Sequence, residues 1–358
     1  MPYLTDIQMS FPDYYYSQTQ LIEKLKEIWD GKIFNTKRLD GIQNNVQVES
    51  RHLALPLEDY FKLQSFDEKN NHFIKSATLL AKDAIEKALN ANGLEASDIS
   101  ALYSNTVTGF AIPSLEVRVM NHLKFKSDTK RNPLLGLGCM AGVAGINRAC
   151  DYLLAYPKEA VLFFSVELCS LTVQTEDISV ANLISTALFG DGAACVLLVG
   201  DEHPLASKSQ LKWLGSKSVF FPDTENVMGW QVGEKGLNII LSKGVPEITQ
   251  ENIPKPFKNF LKEYQLEQSD ISTYFAHPGG PKVLEALANA LEITENELRH
   301  SWQSLKEKGN MSSVSVLDIM YRMINENKQS QHKHTGDYAL SLAMGPAFSA
   351  ELGLLKWN

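Results

Sequence analysis

The sequence predicts an α/β protein, and three observations carry that expectation. Short apolar runs at 160–166 and 193–199 have strand length, while 70–92 and 141–154 place apolar residues at helical spacing. The two kinds of segment alternate, as they do where helices pack on a sheet. Glycine and proline punctuate the junctions, at Gly93, Gly109, Pro113, Gly136 and Gly138.

The elements follow in order. A helix is expected over 19–31 after Ser17, with Ile22, Leu25, Ile28 and Trp29 on one side. A longer helix over 70–92 stops near Gly93, and a strand over 99–104 leads to the loop with Gly109 and Pro113. A strand over 133–138 should deliver Cys139 to the start of the 141–154 helix. A strand at 160–166, a helix at 179–188 and a buried strand at 193–199 complete the first half. The polar run DEHPLASKSQ after Gly200 places the boundary, giving halves of 1–200 and 201–358. The second half repeats the theme with a strand near Tyr274, helices over 281–291 and 313–323, and strands over 338–344 and 347–356. The lysines of 255–262 read as the solvated face of an amphipathic helix.

Composition bounds the function. At 358 residues, 44% hydrophobic and 21% charged, the chain can bury one large core or two fused ones. A net charge of −8 argues against nucleic-acid binding, while leaving room for a local basic patch facing a phosphorylated ligand. Cys139, Cys150, Cys169 and Cys195 show no CxxC pairing and lie among apolar residues, which favours a reducing compartment. No basic-then-apolar leader is visible at the N-terminus, and no apolar run is long enough to cross a bilayer. A cytoplasmic protein without membrane insertion is the expectation.

Three segments bear chemistry. Gly136-Leu137-Gly138-Cys139-Met140-Ala141-Gly142 puts a thiol between glycines at the mouth of a helix, whose N-terminal dipole favours thiolate. An isolated cysteine of this kind is more often a buried structural one. Phe275-Ala276-His277-Pro278-Gly279-Gly280-Pro281 ends an apolar run in an imidazole. Lys308-Gly309-Asn310-Met311-Ser312-Ser313 places an asparagine before a helix, where a turn or cap is the ordinary role. Cys, His and Asn, each at a glycine-flanked junction, together outweigh those separate readings. His332 and His334 form an HxH pair in a polar loop with no third ligand near, so no metal site is expected.

On GLGCMAGVAG, TALFGDGAA, AHPGGPKVLEAL, GNMSSVSVL and the weaker MGPAFSAE, the chain resembles the type III polyketide synthases, the chalcone synthase-like ketosynthases. The resemblance runs from about residue 100 to the C-terminus. It implies a thiolase fold: two similar halves in a five-layered αβαβα core. It implies a homodimer that uses acyl-CoA and malonyl-CoA as substrates, with no resident cofactor. Cys139 would carry the acyl chain. His277 would serve as base or as the cationic partner of a thiolate. His277 and Asn310 would stabilise the enolate left when malonyl-CoA loses carbon dioxide.

Other positions carry over more locally. Phe189 aligns with an aromatic gatekeeper, Cys169, Thr172 and Ile239 with the cavity lining, and Ile112 with a residue crossing to the partner's cavity. Arg51, with Lys37 and Arg38 nearby, is the local candidate for CoA phosphates, against surface solvation as the plainer reading. Plant members have a GFGPG loop where this chain has Ala343-Met344-Gly345-Pro346-Ala347, and TGFAIPS at 108–114 looks bacterial. With the aliphatic Val107, Ile112 and Ile239, this implies a fatty acyl starter and an alkylpyrone or alkylresorcinol product. The rivals are a ketosynthase III-like fatty-acid initiation enzyme and an inactive homologue acting as a binding subunit. A plain thiolase fits poorly, because no cysteine follows Cys195.

Overall fold

Residues 1–29, 37–330 and 334–358 are described by the computed structural model, without the side chains of 37–40 and 43. The strands of the first half are β1 (Tyr3–Ser10), β2 (Tyr14–Ser17), β3 (Ser50–Leu53), β4 (Ile99–Asn105), β5 (Lys130–Leu134), β6 (Ala160–Leu168) and β7 (Asp191–Val199). Those of the second are β8 (Leu211–Phe220), β9 (Met228–Gly233), β10 (Gly236–Leu241), β11 (Ile271–Ala276), β12 (Tyr338–Gly345) and β13 (Ser349–Trp357). The first six helices are α1 (Gln18–Ile28), α2 (Lys37–Val46), α3 (Phe66–Asn92), α4 (Leu115–Met120), α5 (Ala141–Ala155) and α6 (Val180–Leu188). The rest are α7 (Val245–Asn252), α8 (Pro254–Glu263), α9 (Pro281–Leu291), α10 (Arg299–Lys308) and α11 (Ser313–Gln329).

Among the described residues, nine strands form one sheet in the order β11-β12-β13-β8-β1-β7-β6-β4-β5. It is two half-sheets joined at a narrow seam, since β1 meets β8 only at Tyr3–Lys212 and Leu4–Leu211. Side-chain alternation then makes the layers. On β6, Val161 and Phe163 face α5 and α11, while Leu162, Phe164 and Val166 face α3. On β12, Ala339 and Ala343 face those same two helices, while Leu340, Leu342 and Met344 face the α8–α9 side. Helices α5 and α11 are thus clad on both faces, between two half-sheets each backed by its own outer helices. That is the five-layered thiolase arrangement.

Several boundaries differ from the sequence reading. The strand expected over 133–138 ends at Leu134, because Gly136 and Gly138 take φ of +83° and +53° and turn the chain. Helix α3 starts at Phe66, not 70, because Ser65 and Glu68 close a capping box. Helix α11 runs on to Gln329, its Met323 and Ile324 still buried. The 255–262 segment lies in α8, with Phe257, Phe260 and Leu261 buried and its lysines exposed. His332 lies outside the described residues, and His334 pairs with Asp337 and stacks on Trp357. No group that could hold a metal ion occurs among the described residues, and none of their helices is long and apolar enough to cross a membrane.

Candidate active site

Cys139, His277 and Asn310 come from three separate elements and line one cavity of about 510 Å³. Cys139 sits in a 3-10 turn, Gly138–Met140, that feeds α5. His277 follows β11 directly, and its N–H donates to Leu342 O (2.9 Å), extending the parallel pairing of β11 with β12. Asn310 lies between α10 and α11 and forms a parallel bridge with Phe189. Its N–H donates to Leu188 O (2.9 Å), and its carbonyl accepts from Gly190 N (3.0 Å). Gly190 is required there, because a Cβ would fall 2.1 Å from Lys308 O.

The side-chain amide of Asn310 is oriented by its neighbours. Oδ1 accepts from Ser312 N (2.8 Å) and Nδ2 donates to Gly279 O (3.2 Å). The amide therefore presents N–H, not oxygen, toward the histidine loop, and one Nδ2 hydrogen remains to serve the cavity. His277 is 2% exposed, and neither ring nitrogen has a protein partner. A buried imidazole with both nitrogens idle is costly in a merely structural role and is suited to a ligand.

Charge in the site is governed by burial. It pushes the Cys139 thiol up to about 12 and the His277 imidazole down to about 3. Ser312 Oγ lies 3.6 Å from Cys139 Sγ, and a hydrogen bond from that hydroxyl to the thiolate eases the shift. Glu167, fully buried on β6, opposes thiolate from behind. Its carboxylate accepts from Val107 N (3.1 Å), Thr108 Oγ1 (3.0 Å) and Asn105 Nδ2 (3.3 Å), yet burial still holds it up to about 6. Burial at this site thus favours a neutral thiol and a neutral imidazole.

Phe189 and Ile239 also line this cavity, with Val107. The same Phe189 and Ile239, joined by Trp230, line a smaller cavity of about 70 Å³ that holds Cys169, Thr172 and Arg51. The cavity-lining expectations for Cys169, Thr172, Ile239 and Phe189 thus fall on two adjoining spaces. Ile112 lines neither and is 97% exposed.

Arg51 needs correction on both earlier readings. It is 2% exposed and donates from Nη1 to Ala187 O; burial lowers its pKa to about 10, with Asp191 the main charge opposing that shift. It lies beneath the surface at the wall of the smaller cavity, not among solvated surface cations. The side chains of Lys37 and Arg38 lie outside the described residues. Lys243 and Lys282 are the exposed cations at the large cavity, and sequence reasoning missed both. It also missed Trp230, because the β9–β10 hairpin that carries it lacks a continuous apolar alternation. The one available signal for Lys282 was its place just after GGP at a helix start.

The chain is similar to known proteins over nearly its whole length. Residues 59–215 match the family described as FAE1/type III polyketide synthase-like protein, and 213–357 match the chalcone and stilbene synthase C-terminal domain. A 1,3,6,8-tetrahydroxynaphthalene synthase of Streptomyces peucetius subsp. caesius is 38% identical, over 98% of this chain and 92% of its own. A putative chalcone synthase of Bacillus subtilis is 35% identical, over 100% and 99%. The crystal structure of 1,3,6,8-tetrahydroxynaphthalene synthase from Streptomyces coelicolor A3(2) superposes with a TM-score of 0.92 at 29% identity, covering 99% of each chain. The chain belongs to the type III polyketide synthases, acyltransferases that extend a CoA-derived starter by decarboxylative condensation of malonyl-CoA.

Proposed function

We propose that Cys139, His277 and Asn310 carry the whole of this chemistry in one pocket. Cys139 sulfur attacks the starter thioester as its proton passes to His277, and the departing CoA thiolate takes that proton back. Malonyl-CoA then binds in the vacated tunnel. Its C–C bond breaks, carbon dioxide leaves, and negative charge collects on the thioester oxygen. N–H groups of His277 and Asn310 donate to that oxygen, each worth about 3 kcal/mol or ~100-fold in rate. The enolate carbon attacks the acyl–Cys139 carbonyl and expels the cysteine thiolate, lengthening the chain by two carbons. The carrying observation is the fixed Asn310 amide, whose orientation leaves a donor where charge develops. The scheme draws on no resident cofactor or metal.

The CoA phosphates are assigned to Lys243 and Lys282 at the mouth of the cavity. A homodimer is the proposed assembly, since Ile112 stands 97% exposed, five residues along the chain from Val107 of the cavity lining. The proposed compartment is the cytoplasm, where the four free cysteines stay reduced.

For the product, the lining of Val107, Ile184, Leu188, Ile239, Ile240 and Leu241 favours a fatty acyl starter and an alkylpyrone or alkylresorcinol. The small volume behind Phe189 favours a second reading. Tetrahydroxynaphthalene, named for the Streptomyces relatives, is a fused aromatic with no alkyl tail to house. Mass spectrometry of products from malonyl-CoA with a panel of acyl-CoAs, with Cys139→Ala as control, decides between them. Alkylated triketides or tetraketides support the first reading, and a tail-free aromatic from malonyl-CoA alone replaces it with the second. A single two-carbon extension, or products that persist in Cys139→Ala, would overturn the catalytic assignment.

A further inference from the structure

The partition between the two cavities is a hairpin that belongs to neither half-sheet. Strands β9 and β10 pair with each other, and Trp230 lies opposite Ile239 across that pair. Both side chains line both cavities, and the Trp230 ring lies 6.4 Å from that of Phe189.

The hairpin's tip is tied down from two sides. Lys69 of α3, only 8% exposed, donates from Nζ to Lys235 O (3.3 Å) at the tip and to Val173 O (2.8 Å). Gln174, also buried, donates from Nε2 to Leu237 O (3.2 Å) and to Thr172 O (3.1 Å). Both side chains thus join the tip to residues 172–173, the wall of the smaller cavity. An ammonium in that position is expensive, and burial lowers its pKa to about 8. An apolar side chain would fill the space at less cost, so what the lysine adds is the pair of bonds. Lys235 is itself paired with Glu176, a third tie on the same tip.

We propose that Lys69 and Gln174 latch the tip of the 228–241 hairpin and so set the length of acyl group that the enzyme accepts. This rests on the reading that the growing chain lies between Phe189, Trp230 and Ile239. With the latch made, the smaller cavity, about 70 Å³ against about 510 Å³ for the larger, gives an alkyl chain much less room. Release of the tip lets the Trp230–Ile239 wall give way and joins that space to the larger cavity.

The test uses the full-length Lys69→Met variant, which keeps the apolar stem and removes the donors, and Gln174→Leu in parallel. Two quantities are read: hydrogen–deuterium exchange of peptides covering 228–241, and the ratio of kcat/KM for a twelve-carbon over a four-carbon acyl-CoA. The expected result is faster exchange confined to the hairpin and a ratio raised about fivefold or more in both variants. Faster exchange with an unchanged ratio overturns the proposal, as does a uniform loss of activity on all starters. If Lys69→Met fails to fold, Gln174→Leu alone decides. If wild-type enzyme uses no fatty acyl-CoA, the alkyl product reading falls on its own. The latch is then judged by the number of malonyl units per product, which must rise in the variants.

Discussion

Replacing Asn310 by aspartate separates the two chemical steps more cleanly than removing the side chain. An alanine would strand the Ser312 N–H and the Gly279 carbonyl, both at a buried site, at about 1–3 kcal/mol each. Aspartate keeps an oxygen for Ser312 N–H and gives up both Nδ2 donations, the one to the Gly279 carbonyl and the one facing the cavity. The backbone of residue 310 is held independently by Leu188 O and Gly190 N, so the Phe189 bridge persists. Loss of one donor aimed at a developing oxyanion costs about 2.7–4 kcal/mol, or ~10²–10³ in rate. A carboxylate facing an enolate at about 4 Å adds further repulsion of up to about 4 kcal/mol at an effective dielectric of 20. Acylation of Cys139 needs no donor from Asn310 and should fall by less than about tenfold. The assay compares malonyl-CoA decarboxylation, followed as carbon dioxide release, with single-turnover acylation of Cys139, followed by intact mass. Equal losses in the two steps, or an undiminished decarboxylation rate, would refute the assignment of Asn310 to the enolate.

Three further outcomes follow from the same geometry. Lys243→Ala with Lys282→Ala should raise KM for malonyl-CoA about tenfold with kcat nearly unchanged, while Arg51→Met should leave that KM alone; inhibition by free CoA provides the check. Gly190→Ala puts a methyl group 2.1 Å from Lys308 O, so the 308–310 loop must shift; about 1–3 kcal/mol of stability and most condensation activity should go, read by thermal melting and turnover. Asp191 is fully buried and held up to about 7, against 3.8 when unfolded, so the folded state keeps a proton that the unfolded chain releases. Its contribution to stability therefore falls as pH rises from about 4 to 7, at about 1.4 kcal/mol per pH unit, and Asp191→Asn should flatten that slope in denaturant titrations.

How much could be read without coordinates depended on how local each cause was. The helix over 281–291 was legible to the residue, because Pro281 starts it and its apolar period is unbroken. Cys139, His277 and Asn310 announced themselves through glycine-flanked junctions, since a reactive side chain at an element's end needs a turn there. The strand into Cys139 was overextended because glycines at 136 and 138 permit either extension or a turn, and only the packing of α5 selects the turn.

The amino-acid sequence by itself determined the α/β class and the family, and it singled out Cys139, His277 and Asn310 as the trio proposed for the chemistry. Each of those rests on short-range patterning or on a run of residues in one segment. Tertiary structure alone decided that Arg51 is buried, that Lys243 and Lys282 stand at the cavity mouth, and that burial favours a neutral thiol–imidazole pair. It also decided that the hairpin carrying Trp230 and Ile239 divides two cavities and is tied at its tip by Lys69. Those facts depend on desolvation and on contacts between residues more than a hundred positions apart, and no local pattern in a chain encodes how far a side chain ends up from water.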